Sequence, residues 1–322
     1  MGWSSPRGIS RTCCVPGSES GPSDEAAYDA KLTELARVIG ELAPDVLGVQ
    51  EIGGLGPLED LRDRLGGDWH AASSELPDGR GIRVGFLSRL GLGDVTHVGD
   101  FPEGLQPVQV GDDGDTIEAM GRGALRVRVR AGGRDVDLVN CHLKSKLLSF
   151  PRGFSPSDEG QRARYGAYAL YRRAAEATTV RAYANDLLDD QGQERAVIVL
   201  GDLNDVPAAA TTQILLGPPG SEIDTAGFER PDQGDGSRLW NLAPLIPQER
   251  RYSRRFRGRG ELIDHILTSH ALVQRVEQVD THAGEPPSIT ENPAERRDEP
   301  ASDHLPHPRP PRNRGTAEAL RK

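Results

Sequence analysis

Five consecutive apolar residues, Ala196-Val197-Ile198-Val199-Leu200, run straight into Gly201-Asp202-Leu203-Asn204-Asp205. An unbroken apolar run of this length marks a strand buried on both faces, because it leaves no alternate position for water. Such a strand needs a layer of structure above it and another below. Residues 81–90 (GIRVGFLSRL), 123–130 (GALRVRVR) and 135–142 (DVDLVNCH) instead alternate with period two, as half-buried antiparallel strands do. Residues 45–51 (DVLGVQE) read as a short buried strand that ends on Glu51. Leu32, Leu35, Ile39 and Leu42 lie on one helical face, with Ser23 as the cap, Asp24 and Glu25 at the positive end and Pro44 as the stop. A long helix is predicted over residues 158–188, its stripe formed by Ala167, Leu170, Ala174, Ala177, Arg181, Ala184 and Leu188. Residues 252–256 and 262–268 read as two further strands joined by the turn Arg257-Gly258-Arg259-Gly260. Strands separated by single long helices predict a layered α/β protein with its helices outside. The sequence contains no internal repeat.

Composition narrows the function classes. The 322 residues carry 39 Lys and Arg against 49 Asp and Glu, a formal charge of −10, which argues against unspecific coating of nucleic acid. No segment approaches the ~18 consecutive apolar residues of a membrane-spanning helix, so integral membrane contact is not expected. Cys13, Cys14 and Cys141 are odd in number and have no ligand-like spacing, which excludes a disulfide scaffold or a cysteine zinc site. The only apolar run in residues 1–21 is Cys13-Cys14-Val15, too short for an export signal. The chain as written is therefore expected to be cytoplasmic and monomeric, with secretion the alternative if its start is mis-called. Residues 1–22 show no periodicity and are expected to be disordered or non-native, residues 23–304 to form the domain, and residues 305–322 (LPHPRPPRNRG onward) to be a disordered tail, since prolines remove ladder donors.

Polar groups follow the buried strands: Glu51 after DVLGVQ, His142 after VDLVNC, and Asp202 and Asn204 after AVIVLG. Asp264-His265 lies inside LIDHIL, and Asp303-His304 in the turn-rich SDH segment. A strand end fixes a side chain while the loop beyond it opens to solvent. Glu51, Asp202 and Asp303 are hard oxygen donors suited to Mg2+, His142 and His304 are candidate acid and base, and Asp264 could orient a histidine. There is no nucleophile elbow, no P-loop and no HExxH, which favours hydrolysis by a metal-assisted water. Taken singly, each of these residues has an ordinary structural role open to it; their order and spacing carry the weight.

PDVLGVQE, NCHLKSK, VIVLGDLND, LIDHIL and SDH together resemble the successive signature motifs of the endonuclease/exonuclease/phosphatase family. Deoxyribonuclease I-like nucleases, abasic-site endonucleases, inositol-phosphate phosphatases and bacterial sphingomyelinases belong to it. The resemblance covers residues 24–304. It implies a four-layer α-β-β-α sandwich of two mixed sheets and a divalent-metal phosphoesterase, with Mg2+ as cofactor and Mn2+ as a substitute. Carried onto this sequence, it makes Glu51 the metal carboxylate and Asp303 the second acid near the metal. His142 contacts the scissile phosphate and protonates the leaving group, and Asp202 and Asn204 hold the attacking water and a phosphate oxygen. Asp264 buttresses His304, and either His304 or Asp202 takes the water's proton. Of Lys144 and Lys146 after His142, Lys144 stands nearer the motif residue and is read as the neighbour of the substrate phosphate. The implied substrate is a phosphodiester such as DNA or RNA. The alternatives are a phosphatase acting on a small phosphorylated metabolite or lipid headgroup, and a degenerate, inactive member.

The ends depart from that pattern. The family opens with a strand carrying an asparagine that helps position the metal carboxylate, whereas the first asparagine here is Asn140. It also continues past SDH into a last strand, where this chain has LPHPRPPRNRG. A sandwich lacking its first and last strands is therefore expected, through a shifted frame, a wrong start or degeneration. Six arginines between Arg250 and Arg259, interleaved with Tyr252 and Phe256, form either a polyanion-steering patch or a solvated hairpin face.

Overall fold

The computed structural model describes residues 7–9, 16–17, 21–150, 157–220, 222–223, 234–281, 286–290, 292 and 296–304. The first sheet holds β1 (Arg7–Ile9), β2 (Val46–Ile52), β3 (His70–Ser73) and β4 (Arg83–Ser88) in the order β1-β2-β4-β3. Helices α1 (Glu25–Leu42) and α2 (Leu55–Leu65) cover its outer side. The chain then forms β5 (Gly93–Asp100), a small flap of β6 (Val108–Gln109) and β7 (Thr116–Ile117), and the hairpin of β8 (Ala119–Ala131) and β9 (Arg134–His142). After α3 (Glu159–Leu188) come β10 (Ala196–Asp202), α4 (Ala210–Leu216), β11 (Leu239–Asn241), β12 (Arg254–Phe256), β13 (Arg259–Glu261), β14 (Asp264–Ser269), α5 (His270–Val273) and β15 (Ser288–Ile289). The second large sheet runs β11-β14-β10-β9-β8-β5, and β13-β12-β15 form a separate small sheet.

Three apolar seams make this a four-layer sandwich. Leu32, Leu35, Ile39 and Leu42 of α1 pack on Leu47, Val49 and Leu87. Val46, Val84 and Phe86 of the first sheet meet Leu125, Val127, Leu138, Ile198 and Leu200 of the second. Ala177, Val180, Ala184 and Leu188 of α3 cover Val197 and Val199. Along β10, Ile198 and Leu200 therefore face the inter-sheet core while Val197 and Val199 face the helix layer, as the unbroken apolar run requires. Each such side chain contributes about 1.5–3 kcal/mol through burial. Both large sheets are mixed, with parallel β1–β2 and β9–β10 pairs among antiparallel ones.

Several expectations need correction. Asp24, not Ser23, caps α1, its carboxylate accepting the Ala27 N–H at 2.8 Å. In α3 the lower stripe of Ala177, Arg181, Ala184 and Leu188 is buried, but Leu170 is 44% exposed and Tyr165, Tyr168 and Ala169 turn inward instead. The predicted stripe follows a strict heptad. A straight helix drifts about 20° per heptad from that repeat, or about 60° over three, so the stripe slides off the covered face. Arg181 stays buried in the stripe by donating Nη1 to Leu215 O at 3.0 Å, near the C-terminal end of α4. Residues 252–256 and 262–268 do not pair with each other. The two-residue turn Arg257-Gly258, with φ of 48° and 77°, closes a short β12–β13 hairpin, while β14 crosses to the second sheet.

The expected loss of the first strand also fails. β1 pairs in parallel with β2 through Arg7↔Leu47, Gly8↔Gly48 and Ile9↔Val49, so these residues belong to the sandwich. A three-residue strand held by backbone bonds is too short to show a period-two signal. Residues 305–322 and most of residues 1–22 lie outside the described residues.

Candidate active site

Backbone register alone brings the central groups together. β9 and β10 run in parallel and end side by side, with Asp202 opposite His142, and antiparallel β14 begins at the same edge, with Asp264 opposite Asp202. Residues paired across strands share a face, so the three side chains stand abreast. Leu200, two residues before Asp202, faces the inter-sheet core, which places the row at the rim between the sheets. The approach needs Gly201. Its φ is 138°, and a Cβ there would lie 1.9 Å from Cys141 O.

The SDH segment completes the row. A bridge between Arg254 and His304 brings it to β12, and His304 Nδ1 lies 2.7 Å from Asp264 Oδ2. Ligand atoms of Asp202, Asp264 and His304 all lie within 4.8 Å of one another, and all three residues are buried. His142 Nε2 is 3.5 Å from Asp202 Oδ2, and Asp303 is buried beside His304. Asn204 adopts a left-handed φ of 53°, which asparagine tolerates. Its N–H donates to Asp202 Oδ1 at 2.8 Å and its amide to Leu143 O at 2.9 Å. An amide has two N–H donors, and the second makes no hydrogen bond among the described residues.

Glu51 comes from the facing sheet. β2 does not end on it but continues to Ile52, and the β2–β4 register shifts between Val49 and Ile52. Glu51 sits in that bulge with φ 56°, a device that re-aims one side chain out of a regular strand. Just behind it, Gln50 Nε2 donates to Asn140 Oδ1 at 2.6 Å, and Asn140 Nδ2 donates to Val49 O and Gly85 O. This buried link ties Glu51's strand to His142's. Glu51 and Asp303, the carboxylates the resemblance assigns to metal, lie outside the tight cluster of Asp202, Asp264 and His304.

The two histidines are driven apart electrostatically. Burial, then the charge of Arg122, holds His142 well below the usual imidazole range, so it is neutral at pH 7. Burial also works against a charged His304, but Asp264 outweighs it and pushes that imidazole up to about 10. Burial, followed by repulsion from Asp264, raises the Asp202 carboxyl to about 7. Buried carboxylates crowded at one rim, with oxygen donors predominating, fit a small hard divalent cation. Divergent values in one cluster are also how enzymes separate acid from base.

Several supporting groups escaped the sequence. Glu176, on α3, accepts the Lys144 N–H at 2.5 Å and the Gly121 N–H at 3.0 Å, while Arg173 Nη1 donates to Lys144 O at 3.0 Å. The loop after His142 is thus clamped by one helix. Lys144 itself directs its ammonium at Leu147 O, 2.7 Å away, and burial lowers it to about 8. Lys146 pairs with Asp205 at 3.0 Å. Asn241 donates to His265 Nδ1, which leaves Nε2–H to donate to Asp205 O at 2.8 Å, so His265 supports the loop after β10. Arg122, beside His142 in charge, pairs with Asp78 at 3.1 Å and keeps a buried Nη1 without a hydrogen bond among the described residues. The heptad pattern of α3 hid Glu176 and Arg173, and Arg122 lies just before the alternating run of residues 123–130.

No curated protein matches this sequence. Solved structures do match in fold. The human nocturnin catalytic domain is 13% identical, with a TM-score of 0.53 over 94% of this chain and 92% of its own. A 3'-5' exonuclease from Neisseria meningitidis is 18% identical, with a TM-score of 0.50 over 94% and 97%. A mannosyl-6-phosphatase from Bacteroides thetaiotaomicron is 14% identical, with a TM-score of 0.50 over 94% and 98%. The sequence profile of the Endonuclease/Exonuclease/phosphatase family matches residues 15–304, nearly the whole sandwich with its row of strand-end acids and imidazoles. The chain belongs to the endonuclease/exonuclease/phosphatase family.

Proposed function

We infer that this chain is a divalent-metal-dependent phosphodiesterase of nuclease type. The observation that carries this reading is the buried row of His142, Asp202 and Asp264 with His304 seated on Asp264. Glu51 and Asp303 would hold a Mg2+ ion, with Asp202 adjoining it; Mn2+ would substitute. When bound, such a cation supplies charge neutralisation at a phosphoryl oxygen.

The chain's own groups account for the remaining steps. Asp264 fixes His304 as an imidazolium, whose remaining N–H faces developing negative charge on the phosphoryl group. Being charged, His304 is not the base. Asp202, poised near neutrality, takes the proton from water as the new P–O bond forms, and the leaving oxygen departs with its electron pair and is protonated on release. The free amide N–H of Asn204 and neutral His142 orient the phosphate, and Arg122 adds positive charge beside it. The clamp of Glu176 and Arg173 keeps the His142 loop in place.

The fold is shared by an exonuclease and a phosphatase, so substrate assays must separate the two. Plasmid DNA, bis(4-nitrophenyl) phosphate and 4-nitrophenyl phosphate are incubated with Mg2+ or with EDTA. EDTA-sensitive hydrolysis of both diesters is expected. Turnover of the monoester alone would reassign the chain as a phosphatase, and no turnover of any substrate would leave it an inactive member.

A further inference from the structure

The largest basic feature outside the rim is the arginine-rich stretch 250–259, which the proposed chemistry does not use. It folds into the β12–β13 hairpin, whose root is bonded to the site. Ser253 Oγ accepts the N–H groups of Ile263 and Asp264, both at 3.1 Å, and Arg254 bridges to His304. Near the root, Arg254 pairs with Glu261 at 2.8 Å and Arg250 with Asp280 at 2.5 Å. At the tip, Arg257, Gly258, Arg259 and Gly260 are exposed.

The interleaved aromatics hold these arginines in a particular way. Arg255 lies 5.2 Å from the Tyr252 ring centroid, and Arg254 and Arg257 lie 5.5 and 5.8 Å from that of Phe256. A guanidinium stacked on a ring keeps its planar fork of N–H donors directed sideways, the geometry that grips phosphate oxygens. Single-strand binders instead need open ring faces for bases, and here arginines lie over the rings. In a chain of net charge −10, a polyanion is attracted only where positive charge is concentrated.

We propose that the β12–β13 hairpin is a docking arm for the phosphate backbone of duplex DNA, laying it across the rim that holds Asp264 and His304. What happens to the strand there rests on the phosphodiesterase reading; the docking itself does not. Fluorescence anisotropy with a short labelled DNA duplex in EDTA measures binding without turnover. The pair Arg257→Glu with Arg259→Glu is expected to weaken binding by about tenfold or more, and to flatten the slope of log affinity against log salt by about 2, since each lost phosphate contact removes ~0.9. Arg257→Lys with Arg259→Lys should keep the parent's salt slope, since the charge remains, while losing part of the affinity with the guanidinium fork. Hydrolysis of bis(4-nitrophenyl) phosphate should not change in either pair. If the Glu pair loses that activity too, Arg257→Gln with Arg259→Gln decides by the same salt slope. Unaltered duplex binding in the charge-removed pairs, no duplex binding by the parent, or tighter binding of a single strand than of duplex would overturn the arm. Duplex binding that depends on these arginines, in a chain that hydrolyses no ester, would sink the proposed function and leave the arm standing.

Discussion

The two large sheets contribute to the site by different means. The second sheet supplies His142, Asp202 and Asp264 from three adjacent strands in unbroken register, so their spacing is that of the ladder itself. The first sheet carries Glu51, the carboxylate proposed for the metal, in a bulge with a left-handed backbone. A regular ladder can place a row of groups abreast but cannot turn one of them across a gap. A bulge can, at the cost of local strain of order 1–3 kcal/mol. The row should therefore govern the chemical step, and the bulge the affinity for what binds between the sheets.

Substitutions can break that division of labour. Asp202→Ala removes the centre of the row and should lower kcat on bis(4-nitrophenyl) phosphate by about 10³-fold or more, with the thermal midpoint little changed because a buried carboxylate facing Asp264 is relieved. Retained turnover would take Asp202 out of the chemistry. His304→Ala should cost about 10²–10³-fold in kcat, since a charged donor is lost; a variant losing only KM would make His304 a binding group instead.

Glu51→Gln should raise the Mg2+ concentration for half-maximal rate by about tenfold while leaving kcat at saturating metal close to that of the parent. A kcat loss at saturating metal would erase the contrast between the sheets. Glu176→Gln replaces a carboxylate that accepts two backbone N–H groups, so a loss of about 1–3 kcal/mol is expected in chemical denaturation, together with a several-fold drop in kcat. An unaffected kcat would show that the loop after His142 holds its place without the clamp.

The smallest effect concerns pH. In the metal-free protein, folding raises the His304 imidazole from the ordinary 6.5 to about 10, so the folded state binds the extra proton. The contribution is complete below pH 6.5 and lost as pH climbs to about 10. Asp202, raised to about 7, acts in a lower window, and Lys144, lowered to about 8, opposes His304 from about pH 8 upward, so between about pH 7 and 10 the difference between the parent and a His304 variant is what reports on His304. Across that range the urea midpoint of the parent should fall relative to that of His304→Asn; equal slopes would contradict the Asp264–His304 pair.

Much of this site could be read along the chain because strand ends are local. The run from Ala196 to Leu200 announces both the buried strand and the turn bearing Asp202 and Asn204, and DVDLVNCH does the same for His142. Other features were not local. Glu51 looked like the end of its strand, because a bulge depends on how β4 pairs. Leu170 looked buried because a heptad stripe ignores the drift of a straight helix across a sheet. Glu176, Arg173 and Arg122 carry no motif; only the packing of α3 and β8 shows what they touch.

The sequence by itself determined the layered α/β architecture, the family and the identities of the strand-end acids and imidazoles, because period, apolar runs and motif order are properties of neighbours in the chain. Only the tertiary structure pulls the two histidines' proton affinities in opposite directions. His142 and His304 have the same chemistry and are both buried; folding places Arg122's charge beside one and the Asp264 carboxylate 2.7 Å from the other. Burial and charge act through space, and residues far apart in sequence supply them.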